Sequence, residues 1–304
     1  MTQPSPTHTS PRHATAPVHS HQPLQGLRVL SLALNLPGPA ALMRLRAMGA
    51  MCTKVEPPAG DPMATYSLEA YQALHHGLTR LTLDLKHADG QQALHTELAH
   101  TDVLITSFRP SALAKLGLSW DSLHAAHPRL VVISIVGAPG TRAEEPGHDL
   151  TYLAENDLVQ GLNLPATLYA DMGGALATSE AVLQALLIRH ATGQGQWREV
   201  ALSDAAAWLA LPRQWGLTRP EGDVGGAHAG YGVYACLDGR VAVAALEPHF
   251  ARSLCAAVGL PTDTPPAMHA PDTRQALAAF FARHSAQQLQ QLATERDWPL
   301  HTLS

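Results

Sequence analysis

Two ionisable side chains in the segment PGHDLTYLAENDLVQGLNLPATLYADMGG, residues 146–174, have a setting suited to proton or acyl transfer. His148 stands between Gly147 and Asp149, and Asp171 follows Leu168-Tyr169-Ala170 and is soon followed by Gly173-Gly174. Imidazole titrates near neutrality, and a carboxyl group that loses water is raised toward it. Such a pair can take a proton from one side of a carbon and deliver one to the other. A carboxylate can instead attack an acyl group. The run from Ala175 to His190 has helical apolar spacing, so on spacing alone Asp171 is expected to be an N-cap, accepting backbone N–H bonds at the positive helix end. The chemical role stays open beside it. Amides near Asp171 and Gly173 would also stabilise negative charge on a bound oxygen, by about 3 kcal/mol for a well-placed donor.

The elements that must carry these residues are legible as hydrophobic periods. Residues 27–32 form an apolar strand ending in a turn at Pro37-Gly38-Pro39, residues 40–48 are helix-forming, Gly49 suits the C-cap, and residues 52–56 return as a strand. This is a βαβ unit, which implies a parallel sheet covered by helices. Further strands are expected at 81–85, 103–107, 130–136 and 197–202, with a helix at 90–100 and another at 204–211 capped by Ser203. No GxGxxG fingerprint is present, so a dehydrogenase-type dinucleotide site is not supported. Composition turns to Gly, Pro and polar residues at 215–230, which marks a domain boundary. Beyond it a hairpin at 231–236 and 240–245 and helices at 250–258, 273–284 and 285–296 predict a small α+β domain. The expected domains are a disordered tail at 1–22, a large domain at 23–214 and a small one at 215–304.

Composition bounds the function. The chain has 304 residues, 46% of them hydrophobic, with a net charge of -5, so it can bury a core and offers no polybasic face for nucleic acid or an anionic membrane. No apolar run approaches the roughly 20 residues that span a bilayer. Three dispersed cysteines, Cys52, Cys236 and Cys255, argue against a disulfide framework or zinc ribbon, and fit a reducing cytoplasm. His8, His13, His19 and His21 in the N-terminal tail are too irregularly spaced for a metal site, and no metal or prosthetic group is expected. Lysine occurs only at Lys54, Lys86 and Lys115, against seventeen arginines.

Ten stretches in order carry a resemblance: LQGLRVLSL, LPGPAALMRLRAMGA, KVEPPAGDP, LTLDLKHADG, TDVLITSFRP, LAKLGLSW, PRLVVISI, PGHDLTYLA, ADMGGALAT and YACLDGRVAVAALEPHF. The chain resembles the family III CoA-transferases (the CaiB/BaiF group), closest in motif to the 2-methylacyl-CoA racemases. The resemblance implies a Rossmann-like large domain, a small α+β domain, a homodimer and an acyl-CoA thioester as substrate. On that register His148 is the racemase histidine, Asp171 the catalytic aspartate of both branches, and Glu247 the glutamate that pairs with the histidine. Arg109, Lys54, Arg80 and Lys86 fall in CoA-binding stretches. Three departures accompany it: the loop GAPGTRAEEPG is short and lacks an aromatic residue, His148 and Asp171 are close in sequence, and the family's C-terminal return segment is not expected before Ser304. The resemblance therefore implies racemase or epimerase chemistry through an enolate. Acyl transfer with Asp171 as nucleophile, or acyl-CoA binding without turnover, are the alternatives.

Overall fold

The computed structural model describes residues 22–261 and 265–303. The expected disordered tail, with its four histidines, lies outside them but for Gln22. The described chain forms two compact units, 22–155 with 161–206, and 156–160 with the residues from 207 onward. This division falls inside a helix, ahead of the composition change at Trp215.

In the first unit the order is β1 (Arg28–Ser31), α1 (Pro37–Ala47), β2 (Met51–Glu56), α2 (Met63–Tyr66), α3 (Leu68–His75), β3 (Thr79–Thr82), α4 (Ala88–Leu98) and β4 (Val103–Thr106). There follow α5 (Pro110–Lys115), α6 (Trp120–Ala126), β5 (Val131–Val136), α7 (Asp149–Glu155), α8 (Tyr169–Thr192), β6 (Trp197–Ala201) and α9 (Leu202–Leu209), in which the unit ends. Six strands pair in parallel in the order β3-β2-β1-β4-β5-β6. Every residue of β4 and β5 is buried, as expected where helices cover both faces of a parallel sheet. Leu30, Leu32, Val55, Leu94, Leu98, Leu104 and Val132 pack in one cluster against the sheet. Strand order reverses between β1 and β4, which opens a crevice at the carboxyl ends of the strands.

Four local expectations are corrected. Pro37-Gly38-Pro39 is the first turn of α1 and not a turn before it, because proline's fixed φ and missing N–H suit a helix start. Strand β3 begins and ends earlier than 81–85. Its partner β2 stops at Glu56, before Pro57-Pro58, and Leu83 keeps only a last bond to the Glu56 carbonyl. Helix α8 starts at Tyr169 with Leu168 as its N-cap, so Asp171 is a first-turn residue and does not cap it. Ser203 lies inside α9, its N–H donated to the Gly137 carbonyl. Gly49, by contrast, does terminate α1, at φ 101° just past Met48.

The second unit holds α10 (Leu211–Gln214), β7 (Tyr231–Cys236), β8 (Gly239–Ala244), α11 (Pro248–Ala257), α12 (Pro271–Phe281), α13 (Ala286–Arg296) and β9 (Leu300–Leu303). The hairpin β7-β8 pairs as expected, and β9 adds a third antiparallel strand that hydrophobic periodicity did not single out. Tyr234, Val241, Val243, Leu254, Leu277, Phe281, Leu289 and Trp298 form its core. A capping box between Ser285 and Gln288 starts α13.

Candidate active site

The crevice at the strand-order reversal is a cavity of about 310 Å³, lined by residues that follow β1, β4 and β5: Leu34, Asn35, Phe108, Arg109, Gly137 and Glu145, together with His148, Tyr152, Asp171 and Leu202. His148 and Asp171 thus share one cavity. His148 immediately precedes α7. Its carbonyl accepts the N–H of Thr151 at 2.9 Å, and its own N–H donates to Thr151 Oγ1 at 3.1 Å, so the backbone is fixed while the ring stays exposed. Asp171 is half-buried in the first turn of α8. Burial and, secondarily, the charge of Asp149 push its carboxyl up to about 6. An acid so placed is partly protonated and partly ionised near neutrality, as a group that must both give and take a proton requires.

The donors expected to hold an oxyanion are otherwise employed. The Asp171 N–H donates to Asp149 Oδ1 at 3.0 Å, and Gly173 lies beyond the first turn, where helical N–H groups bond within the helix. The glycines also serve a different neighbour. Side chains at Gly137 or Gly147 would collide with the Tyr152 hydroxyl, so these two positions let a buried tyrosine reach the cavity wall. Burial, then the charge on Asp171, raises the Tyr152 phenol above its ordinary range. Tyr152 and Asn35 are site residues that sequence reasoning missed. The available signals were a tyrosine four residues after His148, and an asparagine where a left-handed turn, φ 63°, follows β1.

Of the expected CoA-contacting cations, Arg109 precedes α5 and lines the cavity, exposed. Lys86 and Lys115 line a second, apolar cavity of about 370 Å³ with Leu32, Val55, Leu83 and Leu116. Phe108 lines both cavities. Lys54 departs from expectation. It is fully buried, and its ammonium pairs with Asp61, donates to His75 Nε2 at 2.8 Å and lies 3.5 Å from Glu56 Oε1. His75 Nδ1 lies 2.6 Å from the Tyr71 carbonyl, which makes Nδ1 the donor and Nε2 the lone pair that receives Lys54. Burial accordingly lowers the His75 pKa. Arg80, an exposed residue, donates to the Tyr71 hydroxyl at 2.6 Å, which in turn donates to Glu56. Glu56, Asp61 and His75 have the donor types of a metal site, but the Lys54 ammonium lies among them. This network reaches the cavity indirectly, since Asp61 Oδ1 accepts the Asn35 N–H at 3.0 Å.

Glu247 belongs to the second unit, where it is the exposed N-cap residue of α11. Among the described residues no helix is long and apolar enough to cross a membrane.

A doubly wound parallel sheet with acid and imidazole in the crevice at its strand-order reversal defines the class of protein. The chain belongs to CoA-transferase family III, whose model matches residues 24–304. It is 30% identical over 281 residues to the alpha-methylacyl-CoA racemase of Homo sapiens, covering 85% of this chain and 72% of that protein. It is 29% identical to the probable fatty acyl-CoA transferase Rv3272 of Mycobacterium tuberculosis, covering 79% and 70%. The crystal structure of that Mycobacterium tuberculosis protein shares the fold, with a TM-score of 0.80 at 24% identity over 93% of this chain and 83% of the other.

Proposed function

We propose that this chain is an acyl-CoA enzyme that racemises or epimerises 2-methylacyl-CoA thioesters by 1,1-proton transfer through an enolate. The observation that carries the reading is the placement of His148 and Asp171 in one cavity, with the Asp171 carboxyl raised to about 6. In the forward direction one group removes the α-proton and the other returns a proton to the opposite face; in reverse the roles exchange. The names of the relatives, a racemase among them, support the thioester class. The apolar slot with Lys86 and Lys115 suits the nucleotide end of CoA, and Arg109 suits a phosphate or the arm leading past Phe108 to the thioester. Glu247 is kept as a candidate on family register alone, and no prosthetic group is invoked. A cytoplasmic homodimer is proposed with it, supported by the exposed Trp208 and Trp215 as material for a subunit face.

Acyl transfer through an Asp171 anhydride is the second reading, favoured by the probable fatty acyl-CoA transferase among the relatives. Solvent deuterium entering C2 across a panel of 2-methylacyl-CoA thioesters supports racemisation. Absence of exchange together with a thioester trapped on Asp171 supports transfer instead.

A further inference from the structure

Asp149, only 5% exposed, is a further titratable group beside the site, and the proton-transfer scheme gives it no task. The N-cap residue of α8 is Leu168, whose side chain offers no capping hydrogen bond, so the first-turn amides lack the usual local acceptor. The acceptor comes from another helix. Asp149 Oδ1 takes the Asp171 N–H at 3.0 Å, and Asp149 is the residue that follows His148 in the chain and opens α7. One side chain therefore links the start of the helix that carries Asp171 to the start of the helix that His148 immediately precedes.

We propose that Asp149 is a positioning residue that ties His148 to Asp171, its carboxylate fixing the first turn of α8 while its backbone carries the histidine. Proton transfer between fixed groups is sensitive to their placement, since a misplacement of about 1 Å costs on the order of 100-fold in rate. The same carboxylate also sets the electrostatics of its neighbour. Asp171 shares its surroundings with Asp149 and Tyr152 from α7, with His148 before that helix, and with Glu145 and Arg109 lining the cavity. Asp149 is the charge among them that adds to burial in holding the Asp171 proton.

The proposal rests on the reading of His148 and Asp171 as a catalytic pair for its kinetic arm, but its titration arm does not. Asp149→Asn retains an oxygen to accept the Asp171 N–H and removes the charge, whereas Asp149→Ala removes both. The Asp171 carboxyl is titrated by carbon-13 NMR, assigned with Asp171→Asn, and turnover is followed against pH. In Asp149→Asn the Asp171 titration and the corresponding limb of turnover are expected to move together to lower pH, by about one pH unit. In Asp149→Ala, kcat is expected to fall about 100-fold with KM changed by less than about threefold, and Asp149→Asn to recover most of that loss. An Asp171 titration unmoved in Asp149→Asn, or wild-type kcat in Asp149→Ala, overturns the proposal; a merely structural residue would lower thermal stability without moving the titration. If the titration moves but the wild-type protein exchanges no thioester proton, the tie between the two helices stands and the racemase reading fails.

Discussion

Two buried acid clusters in the first unit have opposite electrostatic design. Around Lys54, the carboxylates of Glu56 and Asp61 are met by an ammonium and by the Tyr71 hydroxyl, which Arg80 supports, while His75 serves as a neutral acceptor. Around Asp171 a second carboxylate, Asp149, is the neighbour, and neither forms an ion pair among the described residues. The first cluster compensates its charge and is therefore a fixed part of the framework. In the second, burial first and then the uncompensated charge of Asp149 move the Asp171 carboxyl into the range where protons exchange near neutral pH. The two are joined through Asn35, whose N–H is held by Asp61 and which lines the cavity.

The contrast can be broken most severely at Lys54. Lys54→Met would leave Asp61 and Glu56 buried without their cation, and loss of one partner of a buried pair typically costs about 3–5 kcal/mol. A fall in thermal midpoint of only a degree or two would show that the network is less dependent on its cation than the geometry implies. Asp171 should behave in the opposite sense. Its folded carboxyl titrates at about 6 against an ordinary value of 3.8. Below 3.8 both folded and unfolded chains hold the proton and there is no penalty. As pH rises from 3.8 through 6, the unfolded chain ionises first and folding loses up to about 3 kcal/mol. Asp171→Asn should therefore stabilise the protein at pH 8, by up to that amount, and barely at pH 4, while abolishing most turnover. Equal stabilisation at both values would assign the effect to something other than titration.

Smaller effects sharpen the boundary of the site. Gly147→Ala places a methyl group against the Tyr152 ring and hydroxyl and should cost about 1–3 kcal/mol in stability, measured by denaturant unfolding. Tyr152→Phe in the same background should relieve part of that cost. Arg109→Ala should raise KM for a CoA thioester about tenfold with kcat nearly unchanged, because a contact remote from the α-carbon is made equally in ground and transition states. Steady-state kinetics showing the reverse split would move Arg109 to the reacting centre.

The sequence made the parallel sheet legible because β1, β4 and β5 are short continuous apolar runs, and it made His148 and Asp171 legible because each has a distinctive motif. It did not show what lies between them. The Asp149 bond to the Asp171 amide is a contact between residues 22 positions apart in two helices, and no local period encodes it. Lys54 misleads for a related reason. A lysine in a short strand reads as a surface cation until Asp61, His75 and Glu56 close around it from a following loop, a following helix and the same strand. Helix α7 escaped because DLTYLAE is too short for a 3.6-residue period to stand out, and β9 because LHTL carries only two apolar residues.

The central claim is that His148 and Asp171 act as a pair, one for each face of the α-carbon. Its most direct measurement is solvent deuterium exchange at C2 of each enantiomer of a 2-methylacyl-CoA thioester, followed separately in His148→Ala and Asp171→Ala. The account predicts opposite biases: each variant loses exchange from one enantiomer by on the order of 10²–10⁴-fold and retains more of it from the other. Wild-type exchange from both enantiomers in both variants would contradict it.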